Sequence, residues 1–161
     1  MLFRSMSLGV DSAPREAMPW LLSGVKSTSY AVNLAARSEA IRRGAEDALF
    51  LAADGTVLEG PTSNVWWRSG RVLRTPSLDL GVLAGVTRTQ VRALGEAAGY
   101  AVEEGRWPVA AVAAADEAWM SSSLRELMPI VSLDDRPIGD GRPGPAVATL
   151  QAALRRLAIE G

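Results

Sequence analysis

The sequence contains no cysteine and no histidine. The first absence excludes disulfides, thiolate metal sites and cysteine nucleophiles. The second removes the imidazole of serine–histidine and cysteine–histidine catalysis and every histidine-ligated metal, so no metal site is expected. Acid–base chemistry is left to lysine, carboxylates, tyrosine or a bound cofactor. Lysine is scarce too: Lys26 is the single one, and every other basic side chain is arginine. No apolar run approaches the ~20 residues that span a bilayer. The opening Met1-Leu2-Phe3-Arg4-Ser5-Met6 lacks the apolar stretch of about 7–15 residues that a signal peptide needs, so a cytoplasmic location is expected. The formal charge is −1, with acids and bases intermixed. No basic stripe is available for nucleic acid or an anionic membrane, and neither partner is expected.

What is present suits one soluble domain: 161 residues, 48% hydrophobic and 22% charged. Residues 1–24 carry no regular pattern, are punctuated by Pro14, Pro19 and Gly24, and read as an irregular arm or residual linker ahead of a domain over 25–161. From Tyr30 to about Arg43, Ala31, Leu34, Ala35, Ser38 and Ile41 recur at helical spacing, and Gly44 is placed for a left-handed C-terminal cap. Ala48–Ala52 predicts a strand, Asp54-Gly55 a tight turn, and Thr56–Leu58 the return. Asn64–Trp67 and Arg71–Leu73 predict two strands across Ser69-Gly70, so residues 47–75 read as an antiparallel meander. Gly85–Gly99 holds a second helix with Val91, Leu94, Ala97 and Ala98 on one face. A strand at Tyr100–Val102 and a short helix from Pro108 to about Ala115 follow. Strands at Ala118–Met120, which delivers Ser121-Ser122-Ser123, and at Ile130–Leu133 precede a last helix at Pro145–Leu157. Helices and strands mix without regular alternation, which predicts a mixed α/β (α+β) domain rather than a doubly wound parallel sheet.

Taken alone, Lys26 reads either as a solvated surface side chain or as an amine that forms a Schiff base with an aldehyde cofactor once partly neutral. Thr87 reads as an ordinary helix N-terminal residue or an anion ligand, and Ser121–Ser123 as a polar turn or a set of donors. Their order along the chain bears on the choice. Lys26-Ser27-Thr28-Ser29-Tyr30 is followed by Asn33, Ala40 and Gly44, then by Asp54-Gly55-Thr56-Val57-Leu58-Glu59-Gly60-Pro61-Thr62-Ser63-Asn64. Thr75-Pro76, Gly85-Val86-Thr87-Arg88, Ala115-Asp116-Glu117, Met120-Ser121-Ser122-Ser123 and Pro129-Ile130-Val131 complete the run. In order and spacing this resembles the class IV pyridoxal 5′-phosphate (PLP) enzymes. That family includes branched-chain and D-amino acid aminotransferases and 4-amino-4-deoxychorismate lyases, and the resemblance covers about residues 25–155.

The resemblance implies the cofactor-binding large domain of the D-amino acid aminotransferase-like fold, with PLP as cofactor. It implies that Lys26 bonds the cofactor and shuttles a proton at the substrate Cα, and that Glu59 holds the pyridine nitrogen protonated. The backbone amides of Val86 and Thr87, the Thr87 hydroxyl, Ser123 and Ser122 would hold the phosphate at a helix N-terminus. Tyr30 matches a tyrosine beside the ring oxygen of branched-chain members, or is a core aromatic. Ser123, Leu124 and Arg125 fall in the substrate region, where Arg125 meets either an acidic substrate or an acidic neighbour. Family members carry a smaller N-terminal domain ahead of the lysine; it is expected to be absent here, with the arginine that helps hold the phosphate. Pairing as a homodimer is implied as well. The segments beginning at Lys26 and Glu59 are closest to lyase-like members, which release pyruvate from aminodeoxychorismate and leave the folate precursor 4-aminobenzoate. Transamination of a branched-chain or D-amino acid is the alternative within the family, and a non-catalytic PLP-binding fragment the alternative outside it.

Overall fold

The computed structural model describes residues 3–9, 24–26 and 30–160. Eight strands make one mixed sheet: β1 (Phe3–Gly9), β2 (Asp47–Leu51), β3 (Asn64–Ser69), β4 (Val72–Pro76), β5 (Ala101–Gly105), β6 (Glu117–Ser122), β7 (Glu126–Leu133) and β8 (Arg136–Pro137). Their spatial order is β2-β1-β7-β6-β3-β4-β5, with β8 paired to β7. Among the described residues four α-helices accompany them, α1 (Ala31–Arg42), α2 (Val86–Ala97), α3 (Val109–Ala113) and α4 (Pro145–Glu160), with a 3-10 turn at Leu78–Leu80.

Alternation along the central strands sorts the core into two layers. Val65 and Trp67 of β3 and Ala118 and Met120 of β6 join Leu49, Val57, Val112 and Ile138 on one face. Trp66 of β3 and Trp119 of β6, paired in antiparallel register, meet Val91 of α2 and Val147, Leu150 and Leu154 of α4 on the other. Because both faces are covered, β3 and β6 read as nearly continuous apolar runs rather than polar–apolar alternation. The three tryptophans are fully buried, and each contributes on the order of 2–3 kcal/mol of burial.

Most expected elements lie where the sequence puts them, including the caps at Gly44 (φ +87°) and Gly99 (φ +79°). The Asp54-Gly55 turn has Gly55 at φ +82° and the Thr56 amide donating to Asp54 Oδ1 at 2.9 Å. Four expectations need correction. Residues 3–9, read as part of an irregular arm, form β1, parallel to both β2 and β7. Of the meander over 47–75, the hairpin across Asp54-Gly55, with Leu51 antiparallel to Val57, and the β3–β4 pair both form, but they are not joined into one run, since β1, β7 and β6 separate β2 from β3. In α1, Leu34 and Ile41 are exposed and Ala40 is the buried residue, because apolar side chains lie all round this helix and define no single face. In α2, Ala97 and Ala98 are exposed, and Gly95 packs instead. A Cβ at Gly95 would run into Leu73, so the helix approaches the sheet at its smallest residue.

Candidate active site

Two adjoining hollows share Lys26, Thr62, Ser63 and Leu83 and form one groove. One end is lined by Tyr30, Asn33, Glu59 and Gly60, the other by Asn64, Gly85, Val86, Thr87 and Ser121–Ser123. Each wall follows from local structure. Lys26 lies just ahead of α1 and its Nζ donates to the Tyr30 hydroxyl at 3.4 Å; Ser27–Ser29 lie outside the described residues. The Asn33 amide donates to the Pro61 carbonyl and ties α1 to the loop after Glu59. Glu59 ends the return of the Asp54-Gly55 hairpin, its carbonyl accepting from Phe50 N at 2.8 Å. The chain then reverses through Gly60-Pro61-Thr62-Ser63, closed by Gly60 N donating to Ser63 O at 2.7 Å, and enters β3 at Asn64.

Glu59 is the electrostatic centre of this end. Its Oε2 accepts from Leu83 N at 3.1 Å and from Asn64 Nδ2 at 3.3 Å. Burial pushes its carboxyl up from the ordinary 4.5 to about 7, against the opposing pull of the Leu83 amide and the Arg88 charge. Arg88 is itself fixed, donating to Glu104 at 2.7 Å and to Pro76 O at 3.0 Å, with its guanidinium 5.9 Å from the Trp66 ring centroid. A carboxylate held near neutrality beside a groove is poised to take a cationic N–H partner, which lowers the cost of its ionisation.

The other end offers donors without acceptors. Gly85 caps α2 in an extended conformation with no side-chain cap, and the first turn holds no acidic residue. The amides of Val86 and Thr87 therefore have no intrahelical acceptor and lie where the helix dipole favours an anion. Thr87 is buried at the groove wall. Across from it, Ser121 Oγ is buried with no hydrogen-bond partner among the described residues, and Ser122 Oγ accepts from Arg125 N at 3.2 Å and keeps its own proton to donate. An amine beside one carboxylate at one end and uncapped amides with hydroxyls at the other fit a phosphorylated, protonatable aromatic aldehyde such as PLP.

At the rim, Ser123 is exposed and Leu124 is 98% exposed. Arg125 turns inward: its Nη2 donates to Asp47 Oδ2 at 2.8 Å and to Thr62 Oγ1 at 3.1 Å, and Asp47 is fully buried. Of the two roles the sequence leaves open for Arg125, this contact is the acidic neighbour. Arg125→Ala should lower stability by about 3 kcal/mol in urea unfolding, because it strands a buried carboxylate. A change below about 1 kcal/mol would show the pair to be of the weak, surface kind. Sequence reading missed Asn64 as a partner of Glu59, Asn33 as a brace, and Ser121, which it placed in the serine turn without a role. Asn64 and Asn33 stood in the matched motifs, but their partners depend on the fold.

The chain belongs to the amino-transferase class IV family, which it matches over residues 3–133. It is 37% identical to an aminodeoxychorismate lyase of Bacillus subtilis (strain 168), over 82% of this chain and 45% of that protein. It is 33% identical to a D-alanine aminotransferase of Bacillus licheniformis, over 91% of this chain and 52% of that protein. A fold IV transaminase structure from Curtobacterium pusillum superposes with a TM-score of 0.89 at 42% identity, covering 99% of this chain and 54% of that one. The family is PLP-dependent, and its solved members include PLP-bound forms. The chain spans about half the length of the curated relatives it matches.

Proposed function

We propose that residues 25–161, with β1 completing the sheet, form the PLP-binding domain of an enzyme acting at the Cα of an amino acid-like substrate. The observation that carries this is the groove that brings the single lysine, the raised carboxylate of Glu59 and the uncapped N-terminus of α2 together. When bound, PLP supplies a cationic ring that stabilises negative charge developing at the substrate Cα. Lys26, its Nζ oriented by the Tyr30 hydroxyl, would hold the cofactor at its aldehyde end and would carry the proton at the substrate Cα. Glu59 keeps a proton on the ring nitrogen. Val86 and Thr87 amides, the Thr87 hydroxyl, Ser122 and Ser123 hold the phosphate and so fix the ring. Ser123 and Leu124 stand at the mouth where substrate enters, and Arg125 shapes that turn through Asp47 and Thr62.

The substrate we favour is aminodeoxychorismate, split to 4-aminobenzoate and pyruvate, on the likeness of the lysine and Glu59 segments to lyase-like members and of the chain to the Bacillus subtilis lyase. Transamination is the second reading, favoured by the likeness to the Curtobacterium pusillum transaminase. Assays separate them, since the lyase releases pyruvate with no amino acceptor and the transaminase requires a 2-oxo acid. A homodimer and a cytoplasmic setting complete the proposal. The cofactor reading is tested by mixing the chain with PLP, reducing with borohydride and mapping the labelled peptide. We expect the label at Lys26 and its complete loss in Lys26→Ala. A label confined to the N-terminal amine of Met1 would refute the site, and binding at Lys26 with neither reaction would favour a non-catalytic PLP-binding fragment.

A further inference from the structure

Asn64 opens β3 with a side chain that is engaged on every side. It is 5% exposed. Its Nδ2 donates to the Leu83 carbonyl at 2.8 Å and to Glu59 Oε2 at 3.3 Å. Its Oδ1 fills the space beside Gly85, where any Cβ would run into it. The Leu83 amide donates to the same Glu59 Oε2. Both donors therefore fall on one oxygen of the carboxylate, which leaves Oε1 for the groove that Glu59 lines. The segment Leu83–Gly85 that Asn64 grips leads directly into the first turn of α2. In the β3–β6 register Asn64 stands opposite Ser121, the residue with the buried, unpartnered hydroxyl.

We infer that Asn64 is a positioning residue, whose amide locks the Glu59 carboxylate to the Leu83–Gly85 segment and thereby sets the ring end and the phosphate end of the groove relative to each other. The inference rests on the proposed reading of the groove as a PLP site. Hydrogen bonds to a carboxylate favour its ionised form, so losing the Asn64 donor makes Glu59 harder to ionise. The other groups that face Glu59 stay in place: the Leu83 amide, Arg88 from α2, and Lys26 and Tyr30 across the groove.

Two measurements on Asn64→Ala test this. First, stability of the cofactor-free chain against pH reads the titration of Glu59, and its transition should move up by roughly one pH unit, the shift that a charge-assisted hydrogen bond implies. A side chain that merely fills space would leave the transition in place. Second, affinity for pyridoxine 5′-phosphate, which has ring and phosphate but no aldehyde, should fall about tenfold. Gly85→Ala should reproduce both effects, since its methyl group displaces Asn64 from the other side; it decides the matter if Asn64→Ala does not fold. Leu150→Ala, buried between α4 and the sheet, should lower stability and leave pH transition and affinity as in the wild type. Wild-type binding with both readings unchanged in Asn64→Ala or Gly85→Ala overturns the inference alone. A wild-type chain that binds neither pyridoxine 5′-phosphate nor PLP overturns the parent reading, and with it this one.

Discussion

Glu117→Ala is expected to destabilise the chain by about 3–5 kcal/mol, a large part of the ~5–15 kcal/mol that holds a domain of this kind together. Glu117 sits at the start of β6 with its side chain 3% exposed. Its carboxylate accepts from Arg68 Nε at 2.8 Å, from Ala146 N at 3.0 Å and from Val147 N at 3.1 Å. The last two are first-turn amides of α4, which has no other source of negative charge in that turn. One side chain therefore caps α4, complements its dipole and pairs with β3. Gly144 makes the approach possible, since a Cβ there would occupy the place of the carboxylate. Truncation leaves two buried amides without acceptors, at about 1–3 kcal/mol each, and withdraws one partner of Arg68, which keeps Asp116. The expected fall in Tm is roughly 10 °C. Glu117→Gln keeps the shape and an acceptor and should lose about half as much. Urea unfolding of both variants measures this, and a loss under about 1 kcal/mol for Glu117→Ala would mean that α4 is held by its apolar face alone.

The same residue shows where sequence reading stops. Ala115-Asp116-Glu117 was legible as part of an ordered run of motifs, yet the role of Glu117 depends on amides 29 and 30 residues away. Features decided within a few residues were readable: the Asp54-Gly55 turn, the caps at Gly44 and Gly99, and α2 beginning at Gly85. Lys26 stood out because no other lysine competes with it. Pairing order was not readable, because β1, β7 and β6 enter between β2 and β3 from both ends of the sequence. The face of α1 was not readable either, since Val32, Leu34, Ala36, Ala40 and Ile41 circle the helix and the contact from Asn33 to Pro61 helps fix its orientation. At the groove, the family resemblance implied Glu59 but not the Leu83 amide and Asn64 that hold its carboxylate.

Glu59→Gln is expected to make the cofactor-free chain more stable at pH 8 and, on the proposed function, turnover with PLP much slower. The folded-state carboxyl titrates near 7, raised mainly by burial from the ordinary 4.5. Below pH 4.5 it is protonated in folded and unfolded chains alike and has no effect on their balance. Between 4.5 and 7 the unfolded chain releases the proton while the folded chain keeps it, so stability falls as pH rises. Above pH 7 both forms are ionised and the loss is complete, at about 3 kcal/mol. Glutamine does not titrate, so the variant should lose this part of the pH dependence and exceed the wild type by about 2–3 kcal/mol at pH 8, the two converging towards pH 4.5. Loaded with PLP the order reverses in function. A neutral amide holds the ring proton less well than a carboxylate, by about 1.5–3 kcal/mol, and turnover should fall roughly ten- to a hundredfold with a smaller loss of cofactor affinity. Stability against pH for both chains, followed by pyruvate release and amino transfer after PLP loading, decides the matter. Parallel stability curves would show that Glu59 is not the group titrating near neutrality, and equal turnover would show that its charge does not hold the ring.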